Sequence, residues 1–275
     1  MVFTGCNIID PMMNNSTILT EIKGSISTIW LNRPAKKNAL DIEMISSFLI
    51  ALQYLNNLAS IRIIVLRGKG ESFCAGADLG WMQRSSLLTG PENYNECDAL
   101  ARCFYEIYMS SKITICMVHG SSIGGGNGLV AASDIALSDN SAEFAFSEVH
   151  VGLIPATIAP YVIIKAGKAK AMELMLSGRR FSAAEAKEWG LINHVLQEKD
   201  LENYFSKLVN DLLEGAPNVQ KNIKTYLNSP ERPIDASLIG HTASLLADAR
   251  VGSEAKEGID AFLEKRKPLW NQEIT

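Results

Sequence analysis

Two apolar runs constrain the fold of this chain more than anything else in it: IRIIVLRG (61–68) and ITICMVHG (113–120). Both are nearly continuous rather than alternating, the pattern of strands covered on both faces in a partly parallel sheet. Strands of that kind need helices packed over them. Small-residue turns lead into those helices: CAGADL (74–79) precedes a helical segment holding Trp81, Met82 and Arg84, and IGGGNG (123–128) opens the small helix NGLVAAS. Glycine weakens a regular element by roughly 0.5–1 kcal/mol relative to alanine. Three in a row, Gly124 to Gly126, therefore require a reason.

The flanking text fits the same organisation. TILTEIKGSISTIWLNRP alternates around Gly24 and reads as a hairpin ending at Pro34. Asp41 is placed to cap a helix on which Ile45, Phe48, Leu49 and Leu52 recur at helical spacing. A helix-rich stretch from about Pro91 to Ser110 precedes the second apolar strand, and DIALSDN follows the glycine helix as another strand. AEFAFSEVHVGLIP reads as extended, Thr157 to Gly178 as helical, and FSAAEAKEWG as a short helix between Ser182 and Gly190. LINHV is a last strand, and after Asp200 only helical stripes remain, the first marked by Phe205, Leu208, Val209 and Leu212.

Composition excludes several functions. With net charge −4 and no block of one sign, nucleic acid is not an expected partner. No apolar run reaches the ~18 residues of a membrane span, so no membrane partner is expected. MVFTGCNIIDPMMNNS has no basic residue before its short apolar stretch and does not read as a signal peptide. Residues 1–16 are expected to be a disordered extension, with Met12 or Met13 as an alternative start. Five cysteines, odd in number and without metal-ligand spacing, point to reduced thiols in the cytoplasm and to no metal site.

At a helix N-terminus the first N–H groups are unpaired and carry partial positive charge. A side-chain-free turn lets a ligand oxygen reach them. One glycine turn alone is as well explained by close packing. Neither turn matches a dinucleotide or P-loop phosphate pattern. Two turns of the same construction, about fifty residues apart, would place two donors on one oxygen, an oxyanion hole.

A resemblance emerges from these residues. SFCAGADLGWM, SSIGGGNGLVAASDIALS, FAFSEVHVGLIP and LSGRRFSAAEAKEWGLINHV occur with LNRPAKKNALDIEM upstream and GIDAFLEKRKPLW in the tail. In order and separation, over about residues 17–271, they resemble the enoyl-CoA hydratase/isomerase (crotonase) family. The resemblance implies a mixed α/β crotonase (ClpP/crotonase-like) fold of repeated β-β-α turns. Residues 17–200 would form the core with the acyl-CoA site, and 201–275 a helical region building homotrimers, often paired into hexamers. It implies an acyl-CoA thioester substrate and no separate cofactor, coenzyme A being part of the substrate. Ala77 and Gly125 N–H would hold the thioester oxygen, and the backbone of Ala75, Ala77 and Leu79 would meet the adenine amino group. Gly76, Asp78 and Gly124 would complete the CoA-contacting turns. Lys36, Lys37 and Asn38 would lie at the CoA entrance. Phe262 and Lys265 would reach the CoA of their own or a neighbouring subunit.

Hydratases of the family carry two glutamates. The first position, three residues after the middle glycine, is Gly128 here, and the second is Glu148. The implied chemistry is hydration of a 2-enoyl-CoA with Glu148 as single acid/base, and the alternatives are an isomerase using Glu148 as proton shuttle or a non-catalytic acyl-CoA binder. ADLGWM, GGGNGLVAASDIA and SEVHVGLIPATIAPYV resemble a bacterial subgroup related to methylglutaconyl-CoA hydratase, implying a branched acyl group. His150 shares a face with Glu148 if the segment is extended; it reads as structural or substrate-lining. Cys74 reads as a packing residue. Trp81, Met82 and Arg84 are candidates for lining the acyl pocket.

Overall fold

The structure, a computed structural model, describes residues 7–8, 17–229 and 233–271. Apart from 7–8, the stretch read as an N-terminal extension lies outside the described residues. The chain divides into two compact units, Met1–Phe205 and Ser206–Thr275.

In the first unit β1 (Asn7–Ile8), β2 (Ile18–Lys23) and β3 (Ile26–Leu31) form antiparallel neighbours, the β2–β3 pair being the hairpin read around Gly24. Helix α1 (Ile42–Asn57) follows, its N-terminus capped by Asp41, which accepts from Met44 N–H at 2.9 Å. Strand β4 (Ile63–Gly68) then pairs parallel to β3. Helices α2 (Leu79–Ser85) and α3 (Gly90–Tyr108) lead to β5 (Ile113–Val118), parallel to β4. The two apolar runs are thus central strands: Ile63 to Leu66 and Ile115 to Val118 are buried throughout, which is why their patterning is continuous.

Beyond β5 come β6 (Ser121–Ile123), α4 (Gly125–Ala132), β7 (Ile135–Asp139) and β8 (Glu143–Ala145). A 3-10 turn over Ser147–Val151 leads to α5 (Ala159–Ala166) and α6 (Lys168–Ser177). The stretch read as helical is two helices divided at Gly167, whose φ of 77° ends α5 and precedes α6. Strand β9 (Arg180–Ser182) and α7 (Ala183–Glu188) follow, α7 opened by the reciprocal bonds of Ser182 and Glu185. The last strand is β10 (His194–Leu196). The main sheet runs β1-β2-β3-β4-β5-β7-β10, and β6-β8-β9 make a small second sheet. That second sheet carries both the entry to α4 and the approach to Glu148.

Helix α8 (Glu198–Leu213) runs from the first unit into the second, which also holds α9 (Pro217–Leu227), α10 (Ala236–Val251) and α11 (Ser253–Leu263). Within it, Glu254 accepts from the N–H groups of Asn218 and Val219, both at 3.0 Å, satisfying free donors at the start of α9. Trp270 Nε1 donates to Glu214 O at 3.0 Å. No helix among the described residues is long and apolar enough to cross a membrane.

Candidate active site

The first turn is shaped by main-chain bonds on two sides. Cys74 pairs with Ser122: Cys74 N–H donates to Ser121 O at 3.0 Å, and Ile123 N–H donates to Cys74 O at 2.9 Å. Three residues on, Ala77 pairs with Leu40: Leu40 N–H donates to Gly76 O at 2.7 Å, and Asp78 N–H donates to Leu40 O at 2.8 Å. In such a parallel bridge the central residue's own N–H points to the opposite side. Among the described residues nothing accepts the Ala77 N–H.

The second turn is built the same way. Gly124 N–H donates to Ala145 O at 2.9 Å, and Asn127 Nδ2 donates to the same oxygen at 2.8 Å, fixing the turn to β8. Gly125 is the first residue of α4, so its N–H has no acceptor within the helix. No other described residue takes it. Gly125 stands three residues past Ser122, as Ala77 stands three past Cys74. The turns also interlock. A Cβ on Gly76 would lie 3.0 Å from Ile123 O, and one on Gly126 would lie 2.8 Å from Cys74 O.

Glu148 completes the site. A Cβ on Gly124 would sit 2.8 Å from Glu148 Oε1, so the carboxyl group rests directly on the glycine that precedes Gly125. Gly124 also has φ of 49° and ψ of −114°, a backbone that side-chain-bearing residues avoid. These two facts answer why the triplet is glycine. Glu148 Oε2 is buried and has no hydrogen-bond partner among the described residues. An unsatisfied buried oxygen is costly, and burial pushes the Glu148 carboxyl above its ordinary value of 4.5. The group is suited to taking and returning a proton.

A second carboxylate has no room. A Cβ on Gly128 would lie 2.5 Å from Ile158 Cγ2 and 2.6 Å from Phe104 Cε1. Leu40 Cδ1 would be 3.0 Å from a Cβ on Gly125. Leu40, Phe104 and Ile158 thus pack against the small face of α4. The sequence reading missed Phe104 and Ile158 in this role. A run of small residues, GGGNG, is itself the signal that large side chains from elsewhere must fill the space.

Other expected site residues fall as follows. Lys36 and Lys37 are exposed, and Lys37 O accepts the Ala75 N–H at 2.9 Å. Asn38 corrects the expectation that it stands at the CoA entrance: it is fully buried. Its Oδ1 accepts from Arg33 N–H, and its Nδ2 donates to Lys69 O and Ser72 O, each at 2.8 Å. Its side chain is consumed in holding a left-handed turn of φ 56°. The Asp78 side chain caps α2 through Trp81 N–H at 3.0 Å and meets Arg33 at 3.1 Å, while its main-chain N–H is given to Leu40 O and its carbonyl accepts from Met82 N–H at 2.9 Å. Leu79 is exposed. Trp81 is nearly buried, its Nε1 donating to Glu96 Oε2 at 2.7 Å, while Met82 is half-buried and Arg84 exposed.

His150 does not share a face with Glu148. The segment is a 3-10 turn rather than extended, which turns residues two apart away from each other. The His150 ring lies over Gly178, with Nε2 at 3.2 Å from Ser177 O. Cys74 is fully buried and its thiol is pushed up to about 12 by that burial, a packing residue as read. Phe262 and Lys265 belong to the second unit, where Phe262 is exposed at the end of α11 and Lys265 has φ of 57°.

Comparison with known proteins agrees with this architecture. The family profile described as enoyl-CoA hydratase/isomerase matches residues 21–273. A Thermus thermophilus protein that carries the name enoyl-CoA hydratase is 34% identical over 90% of this chain and 97% of its own. A 1,2-epoxyphenylacetyl-CoA isomerase of Escherichia coli K12 is 30% identical over 91% and 97%. The solved structure of an enoyl-CoA hydratase from Shewanella pealeana superposes with a TM-score of 0.89 at 35% identity, covering 92% of this chain and 96% of that one. A profile match over nearly the whole chain, together with relatives this similar along their full length, shows that this chain belongs to the enoyl-CoA hydratase/isomerase family.

Proposed function

We propose that this protein is a hydratase-class lyase that adds water to a 2-enoyl-CoA, with Glu148 as its single acid/base. The observation that carries the reading is the carboxyl of half-buried Glu148, its Oε2 buried without a partner among the described residues and its Oε1 resting against Gly124. The thioester oxygen would lie between the Ala77 and Gly125 N–H groups, where backbone donors offset negative charge as it develops. Glu148 would take a proton from water as its oxygen bonds to the β-carbon. The resulting enolate would then regain that proton at the α-carbon from the same carboxyl. One hydroxyl and one hydrogen are added, and Glu148 returns to its starting state.

The finer features of the reading follow from likeness to the family. They are a branched, 3-methylglutaconyl-like acyl group, CoA phosphates near Lys36 and Lys37, and assembly as a trimer or hexamer with Phe262 and Lys265 near CoA. The four described cysteines are free thiols, which supports a reducing compartment such as the cytoplasm. A second reading, an isomerase moving one proton between the α- and γ-carbons, draws support from Phe104 and Ile158, which close the position of a second carboxylate. The test is incubation with 3-methylglutaconyl-CoA in deuterated water, using the unmodified protein and Glu148→Gln. Loss of the conjugated thioester absorbance in the former only supports hydration. Deuterium uptake without net water addition supports the isomerase, and neither in both proteins would sink the catalytic assignment for this substrate.

A further inference from the structure

Arg33 stands outside every element of the acid/base chemistry, yet its side chain touches both halves of the Leu40–Ala77 bridge. Nη1 donates to Ala39 O at 2.5 Å, on one flank of Leu40. Nη2 lies 3.0 Å from Asp41 Oδ2, on the other flank, and 3.1 Å from Asp78 Oδ2, the residue after Ala77. One guanidinium therefore grips the residues on either side of Leu40 and the residue next to Ala77. Both carboxylates are N-caps, Asp41 of α1 and Asp78 of α2, so their positions also set where those helices begin. The cluster is largely enclosed, with side-chain exposures of 18%, 14% and 13% for Arg33, Asp41 and Asp78.

We infer that Arg33 is a positioning residue that aims the Ala77 N–H at the thioester oxygen, an inference that rests on the function proposed above. Three features support it. The Ala77 N–H direction is set by the bridge to Leu40, and Arg33 braces that bridge from behind. Without the guanidinium, Ala39 O, Asp41 and Asp78 would lose the donor that ties them together, a tie that neutralising the two carboxylates does not replace. A lysine replaces it only in part, because a single ammonium lacks the planar fork that spans a carbonyl and two carboxylates at once. Arg33 main-chain N–H is itself held by Asn38 Oδ1 at 2.8 Å, which fixes the root of the side chain.

The test reads polarisation of the thioester directly. The probe is 4-dimethylaminocinnamoyl-CoA, a conjugated thioester whose absorption moves to longer wavelength when its carbonyl oxygen accepts hydrogen bonds. The unmodified protein is expected to shift it on binding. Arg33→Met is expected to bind it within about threefold of the unmodified affinity, lose most of the shift, and lower kcat 10- to 100-fold with KM little changed, part of what removal of an oxyanion donor costs. Arg33→Lys is expected to lie between, and carries the test if Arg33→Met does not fold. Arg33→Met with Asp41→Asn and Asp78→Asn keeps both helix caps, since asparagine caps as well as aspartate, and removes the unpaired charges. It is expected to recover the unfolding midpoint without recovering the shift. Recovery of both would reduce Arg33 to charge balance and overturn the inference, as would a full shift and unchanged kcat in Arg33→Met and Arg33→Lys. No shift in the unmodified protein would instead defeat the thioester reading itself, and the inference with it.

Discussion

Installing a side chain at Gly128 tests the packing that distinguishes this site. Gly128 lies inside α4 and is buried. Replacing a helical glycine with alanine would alone stabilise by about 1 kcal/mol. Against that, the new Cβ would stand 2.5 Å from Ile158 Cγ2, and 2.6 and 2.8 Å from two atoms of the Phe104 ring. Carbon atoms pack at about 3.5–4.0 Å, so both neighbours must retreat by about 1 Å in a core where overpacking costs about 1–3 kcal/mol. With two neighbours displaced we take the upper part of that range, and Gly128→Ala is expected to lose about 1–2 kcal/mol net. In a chain of this size that is a fall of several degrees in Tm, at about 2–4 °C per kcal/mol. Gly128→Glu adds a buried carboxylate without a partner and should fall further, without gaining hydration rate. The assay is urea and thermal unfolding of Gly128→Ala, Phe104→Leu and the pair. Relief of the contact should appear as a favourable coupling of about 1 kcal/mol or more. A Gly128→Ala protein as stable as the parent, with additive losses in the pair, would refute the account.

Three further outcomes are expected. Because burial raises the Glu148 carboxyl, the acid limb of kcat/KM against pH should fall above its ordinary 4.5, and a limb at or below that value would contradict its buried setting. Gly178→Ala, at φ of 61° with His150 and Val149 atoms 2.7–2.8 Å from the new Cβ, should cost about 1–2 kcal/mol in backbone strain. It should also lower kcat by pushing the turn that bears Glu148, and an active protein of parental stability would contradict this. Burial raises the thiols of Cys74, Cys103 and Cys116 above their ordinary 9.0, so their contribution to stability is complete below pH 9 and is lost as pH rises, about 1.4 kcal/mol each at pH 10. Lys165 opposes this: burial lowers it to about 8 from 10.5, so the cost of its buried charge fades between those values. Lys165→Met should therefore show a steeper alkaline fall in the urea midpoint than the parent, and a flat profile would count against the thiols.

How much of this was legible beforehand depended on how local each cause was. Hairpin, central strands and the caps at Asp41 and Ser182 arise from neighbouring residues, and they stand where the pattern placed them. Glu148 was singled out by the resemblance of FAFSEVHVG to the family rather than by any period in the sequence. Asn38 was misread because a polar residue in a lysine-bearing loop looks solvent-facing, whereas the left-handed turn folds it inward onto carbonyls distant in the chain. FSEVHV alternates like a strand, yet Leu153 N–H bonding to Glu148 O at 3.0 Å draws it into a turn. Phe104 and Ile158 meet Gly128 only in three dimensions, and Arg33 joins caps belonging to two separate helices. Contacts of that kind leave no period to read.

The bonds from Cys74 to Ser121 and Ile123 make two distant stretches of chain behave as one mechanical part. Their donors are peptide groups, so point substitution at Ala77 replaces a side chain and leaves the N–H in place. Length is a different matter. One residue inserted between Cys74 and Ala77, or between Ser122 and Gly125, would rotate a donor away while every side chain named in the chemistry stayed intact. Variation among descendants of this chain is therefore expected to spare the count of residues in these two turns more strictly than their identities, save at the glycines where another segment lies against the backbone.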